Sequence, residues 1–184
     1  MGEITQLLTR AREGDKPALD AIFELLHPEL RQIAHRRLSH HRRDGHVDTT
    51  ALVNECYLKL VKRDQLTPAD RAHFLAYAAT VMRSIIVDAA RAAQADRRGG
   101  DARPVTLDTA LLASIPNPVD EIVDVHAALE ELRQVDERLV RVVEMRFFAG
   151  LAVEEIAQAL GVTDRTVRRD WAKARLLLAH ALRH

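Results

Sequence analysis

Cysteine, aromatic residues and net charge are all scarce in this chain of 184 residues. The lone Cys56 excludes an intramolecular disulfide framework and suits a reducing cytoplasm. Aromatics are 4% of the chain, but apolar residues are 47%, so an aliphatic core is within reach and wholesale disorder is excluded. No apolar run approaches the roughly 18 residues of a membrane span. The start, MGEITQLLTRAREGD, lacks the basic-then-apolar pattern of a secretion signal, and Gln6 stands where a myristoylation signal wants Ser or Thr. No glycine-rich phosphate loop, Gly-x-Ser-x-Gly or paired catalytic motif occurs, so an enzyme is not expected. His35, His40, His41 and His46 with Cys56 match no structural zinc spacing, so neither metal nor cofactor is expected. Lys and Arg number 27 and Asp and Glu 27. Taken alone, that zero sum argues against a nucleic-acid partner.

The distribution reverses the argument. Residues 1–100 hold 16 basic against 13 acidic side chains, 101–160 hold 5 against 12, and 161–184 hold 6 against 2. The zero is a cancellation of blocks. One basic cluster is Arg31, Arg36, Arg37, Arg42 and Arg43, interleaved with His35, His40 and His41. The other is Arg165, Arg168, Arg169, Lys173 and Arg175. Clustered basic charge is the footprint of phosphate binding whatever the total.

Ala, Leu, Arg and Glu dominate, and no stretch sustains period-two alternation, so the chain reads as all-α. Helices are predicted over about 3–13, closed by Gly14, and 15–38, with Pro17 in the first turn and a break at Pro28. A third covers 50–63, its apolar stripe formed by Leu52, Val53, Cys56, Tyr57, Leu60 and Val61. A fourth covers 72–95. Residues 99–118 carry Gly99, Gly100, Pro104, Pro116 and Pro118, the composition of a flexible linker. Helices resume at 119–133, 136–148, 153–160 and 164–182. Two small helical domains, 1–97 and 119–184, are therefore expected, joined by a linker over 98–118.

The sharpest local signal is VEEIAQALGVTDRTVRRDWAKAR, residues 153–175. Ile156, Ala157 and Leu160 would point inward from a short helix. Gly161 then stands where a helix-turn-helix needs left-handed backbone, and Ala157 where close helix approach needs a small residue. Thr163 or Asp164 would cap a second helix with Val167, Trp171 and Ala174 inward. Its outward face is Arg165, Thr166, Arg168, Arg169 and Lys173. Such a helix enters the DNA major groove, where arginine reads guanine.

Residues 135–182 resemble region 4 of a bacterial RNA polymerase sigma factor of the extracytoplasmic-function (ECF) type. ALVNECYLKLVKR (51–63) resembles region 2.1/2.2 of that family, and HFLAYAATVMRSIIVDAAR (73–91) resembles region 2.3/2.4. The resemblance implies a promoter-specificity subunit in transcription initiation. It implies docking of Asn54, Glu55, Leu58, Lys59 and Lys62 on the clamp helices of the polymerase β′ subunit, and contact between the second domain and the β flap. Arg83 and Ser84 occupy the family's Arg-Asn positions, which with His73 would contact the −10 element. Arg165, Thr166, Arg168, Arg169 and Lys173 would read the −35 element. The competing expectation is a free-standing helix-turn-helix regulator that binds DNA without polymerase, usually as a dimer.

One stretch departs from the family. Where it commonly has Asp-Ala-Glu-Asp before Leu-Val-Gln-Glu, this chain has Asp48-Thr49-Thr50-Ala51 before Leu52-Val53-Asn54-Glu55. Two acids are missing from a surface expected to meet basic polymerase residues. Phosphothreonine carries a charge of about −1.5 to −2 and is favoured at a helix N-terminus. Phosphorylation of Thr50, or secondarily Thr49, by a Ser/Thr kinase would restore the acidity, and the threonines would otherwise serve only as a cap.

Overall fold

The computed structural model describes residues 2–39, 49–62, 66–97 and 119–183. These form nine helices in chain order: α1 (Glu3–Arg12), α2 (Lys16–Leu25), α3 (His27–Ser39), α4 (Thr49–Val61), α5 (Arg71–Arg97), α6 (Val119–Val135), α7 (Glu137–Val143), α8 (Val153–Leu160) and α9 (Asp164–Ala181). A π-helical turn, Glu144–Phe148, continues α7 directly. No strand occurs among the described residues. No described helix is long and apolar enough to cross a membrane. The predicted linker 98–118 lies outside the described residues.

Local chemistry sets the boundaries. The carboxylate of Asp15 accepts the Ala18 N–H at 3.3 Å and opens α2. The predicted break in the next stretch falls at Leu26, and Pro28 sits in the first turn of α3. A helix tolerates proline there because the first N–H groups lack intrahelical partners anyway. Asp136 caps α7 by accepting from Arg138 N and Leu139 N. Between the two capping candidates for α9, the geometry selects Thr163, whose hydroxyl accepts Thr166 N–H at 3.3 Å.

The first half packs around α5. Phe74, Leu75, Ala78, Ala79, Met82 and Ile85 are buried there, and so are Ala76 and Val81, so α5 is apolar on most sides. A helix apolar all round belongs inside a fold. Phe23 meets Phe74 edge-to-face at 5.8 Å and Tyr57 at 5.1 Å. From α4, Leu52, Val53, Cys56 and Leu60 are buried, with Tyr57 and Val61 at the margin. Burial pushes the Cys56 thiol up to about 12, which makes it an inert core residue.

The core does not stop at residue 97. Leu129, Leu132, Leu139, Val143, Phe148, Ile156, Val167 and Ala174 belong to the same hydrophobic cluster as Phe74 and Met82. Both α6 and the π-helical turn pack on α5. The hydrophobic cluster thus runs from the first half into the second. The reason is α5: its apolar circumference exceeds what α1–α4 cover.

Candidate nucleic-acid interface

The helix-turn-helix is built as its residues require. Gly161 has φ +63°, the left-handed conformation that only glycine adopts cheaply, and Val162 N donates to Ala157 O at 3.0 Å. Ile156, Ala157, Val167 and Ala174 are buried where α8 meets α9. Trp171 is half-buried, its ring 5.1 Å from the Arg146 guanidinium. Facing outward, Arg165, Arg168, Arg169 and Lys173 are exposed. Thr166 is half-buried, its hydroxyl 3.0 Å from that of Thr163. Arg168 lies 3.8 Å from Asp164 and 3.9 Å from Glu154, and Arg169 3.5 Å from Asp170. Exposed pairs as long as those of Arg168 contribute little, so its guanidinium exchanges readily to a phosphate or base edge, whereas the exposed Arg169 lies against the buried carboxylate of Asp170.

Sequence reasoning missed Asp170. It is buried on α9 and accepts from Arg138 of α7 at 2.8 Å, so it ties the recognition helix to its scaffold. An acid amid four basic neighbours, and in register with inward-facing Val167 and Ala174, was the available signal.

Along α4 and the residue that follows it, Thr50, Asn54, Leu58 and Lys62 recur every fourth residue, and all four are exposed. Glu55 and Lys59 flank this stripe half-buried. Lys59 is paired with Asp88 of α5 at 3.0 Å. Thr49, at the first position of α4, is buried. Asp48 lies outside the described residues.

The three residues assigned to the −10 element are placed differently from one another. His73 stands in the first turn of α5, where its Nδ1 lies 3.0 Å from Asp70. Arg83 follows ten residues later, about 15 Å along the axis, so the two do not share a pocket. Ser84 is half-buried. Arg83 is only 6% exposed. Its guanidinium donates to Glu144 at 3.3 Å and to His126 Nδ1 at 2.7 Å, and lies 5.4 Å from the Phe148 ring centre. Glu144 also accepts from Arg133 at 2.9 Å. Burial lowers the pKa of Arg83 against the opposing pull of Glu144 and Glu130.

The first basic cluster is likewise divided. Arg31 is exposed, whereas Arg37 donates to Phe147 O at 2.8 Å and lies 4.3 Å from the Phe148 ring centre. The guanidinium of Arg36 fills the space that a side chain at Gly150 would need. Burial, with Arg36 and Arg83 nearby, lowers Arg37 to about 10. His40, His41, Arg42, Arg43 and His46 lie outside the described residues. Among the described residues no group of three His, Cys, Asp or Glu is placed to hold a metal ion.

A family model for ECF sigma factors matches residues 1–184. The chain belongs to the ECF sigma factor family. No curated protein matches it. A match over the full length accounts for both halves, whereas a free-standing regulator would need only the helix-turn-helix. The sigma factor is thus a non-catalytic subunit of transcription initiation whose partners are core RNA polymerase and promoter DNA.

The contact between Arg83 and His126 is expected to make the sigma factor sensitive to acid. Arg83 donates to His126 Nδ1, so that imidazole is neutral in this arrangement. Burial first, then Arg83 and Arg91, hold His126 below its ordinary value of 6.5, against Glu130 and Asp88. A histidine whose folded pKa is depressed takes up its proton more readily when unfolded. Its contribution is therefore complete above about pH 6.5 and is lost as pH falls through the lowered value. Thermal melts across this window are expected to show the wild type losing more stability toward acid than His126→Asn. Parallel curves would refute the assignment.

Proposed function

We propose that this sigma factor docks on the β′ clamp helices through Asn54, Glu55, Leu58, Lys59 and Lys62, and that phosphorylation of Thr50 by a Ser/Thr kinase switches the docking on. His73, Arg83 and Ser84 serve the −10 element. Arg165, Thr166, Arg168, Arg169 and Lys173 serve the −35 element, and the second half meets the β flap. The observation that carries the proposal is the α4 stripe. Thr50 stands one turn before Asn54 and two before Leu58, on the same exposed face. A phosphate at Thr50 would therefore lie in the docking surface itself. It would supply the charge that Thr50 and Ala51 lack, at a helix end that favours anions. Complementary charge of this kind sets association rate and register. Thr49 is the weaker candidate, because its buried side chain is closed to a kinase.

The test is in vitro transcription with core polymerase and four proteins: unmodified, kinase-treated, Thr50→Ala and Thr50→Glu. Kinase treatment is expected to raise polymerase affinity and promoter-specific transcript about tenfold or more, the effect of about 1.4 kcal/mol. Thr50→Glu should recover part of the gain, and Thr50→Ala should remain inert to the kinase. Full kinase-dependent activity in Thr50→Ala sinks the Thr50 switch. No promoter-specific transcript in any state sinks the docking reading.

A further inference from the structure

Two arginines stand side by side on the outward face of α9, and their partners differ in kind. Arg168 lies 3.8 Å from Asp164 and 3.9 Å from Glu154, both solvent-exposed carboxylates. Arg169 lies 3.5 Å from Asp170, Nε against Oδ1. The Asp170 side chain is only 4% exposed, and its other oxygen accepts from Arg138 Nε of α7 at 2.8 Å. One buried carboxylate thus joins the scaffold helix α7 to a side chain of the recognition face.

A carboxylate with little water around it attracts a cation more strongly than one in bulk solvent. Asp170 is also fixed in place, buried on the same helix face as Val167 and Ala174 and held by Arg138. Arg169 itself remains 71% exposed. Its contact uses Nε, which leaves the two terminal amino groups, the pair that chelates guanine O6 and N7, outside that ion pair. We propose that Asp170 is a positioning residue for promoter recognition: with Arg138 it presets the Arg169 guanidinium, which reads a base of the −35 element, while the loosely paired Arg168 contacts backbone phosphate. The inference rests on the reading of α9 as the −35 helix. It adds which arginine specifies the sequence and what aims it.

Presetting favours a base reader for two reasons. An arginine in water samples many rotamers, and binding loses that freedom unless the side chain is already restrained. A bidentate pair with a base edge also tolerates little misplacement, whereas a phosphate contact carries no sequence information and needs only a cation within reach. Being buried, Asp170 acts through Arg169 rather than on the DNA.

The experiment uses the full chain with core polymerase. Duplexes selected by the wild-type complex from a pool randomised across the −35 element, and their single-base variants, are labelled with fluorescein and titrated. Arg169→Ala is expected to abolish a preference of about tenfold or more at one base pair. Asp170→Asn, which removes the charge and keeps the shape, should weaken that same preference severalfold and no other. Combined with Arg169→Ala it should cost nothing further, whereas its loss should multiply with that of Arg168→Ala. Arg169→Lys, a change at an exposed position, should lose the preference as alanine does, because an ammonium lacks the fork, and Arg168→Lys should keep every preference. A loss from Asp170→Asn that multiplies with those of both arginines, or that falls equally on all duplexes, would mark a merely structural residue and overturn the inference. A base preference that survives Arg169→Lys would overturn it as well, whether or not Asp170→Asn folds. If neither Arg168→Ala nor Arg169→Ala alters binding, the −35 reading of α9 falls too. A loss in either one leaves that reading standing, so the two failures are separable.

Discussion

Alanine in place of Phe74 is expected to lower the unfolding free energy by about 3–5 kcal/mol, the range for truncating a fully buried phenylalanine. Phe74 is fully buried and meets Phe23 edge-to-face, and Phe23 in turn meets Tyr57. Truncation removes the α5 ring on which Phe23 of α2 packs, and the helices around it cannot close the gap together. Domains of this size are stable by only about 5–15 kcal/mol, so the loss is a large fraction of the total. Denaturant unfolding monitored by circular dichroism measures it. Because the hydrophobic cluster runs into the second half, the variant should lower the transition of the whole chain. A second transition left unmoved would mean that the halves unfold independently. Phe74→Leu should recover more than half of the loss, because it refills most of the volume.

Arg168→Ala and Arg169→Ala are each expected to cost about 1–3 kcal/mol of promoter affinity in the polymerase complex if the residue pairs with a guanine edge. Both side chains are well exposed, and the buried Asp170 beside Arg169 keeps its shorter pair with Arg138, so neither substitution should disturb the fold. The form of the loss identifies the contact. A base reader loses affinity for its preferred promoter and becomes indifferent at one position. A phosphate contact weakens binding uniformly and reduces its salt dependence. Electrophoretic or fluorescence titrations across single-base promoter variants separate the two. Unchanged affinity in both variants would remove the outward face of α9 from promoter recognition.

The helix-turn-helix was legible because its constraints are local. A left-handed turn demands Gly161, the cap demands a residue such as Thr163, and close approach demands Ala157, all within a few residues. The α4 stripe was legible for the same reason, since helical period alone separates Leu52, Cys56 and Leu60 from Asn54 and Leu58. Asp170 was not, because its burial depends on Arg138, which lies 32 residues earlier.

Sequence by itself determined the helices, the left-handed turn at Gly161 and the basic recognition face. Each depends on backbone period or on neighbours within a turn or two. Only the tertiary structure decided the fate of Arg83. The sequence presents it as one cation on a long helix. Its burial depends on Glu144 and Phe148 arriving from 61 and 65 residues away, a separation over which no local rule operates. The zero net charge was a cancellation between blocks in the sequence. In the fold, part of that cancellation is physical, because Arg71 and Arg83 of the first half are neutralised by Glu155 and Glu144 of the second.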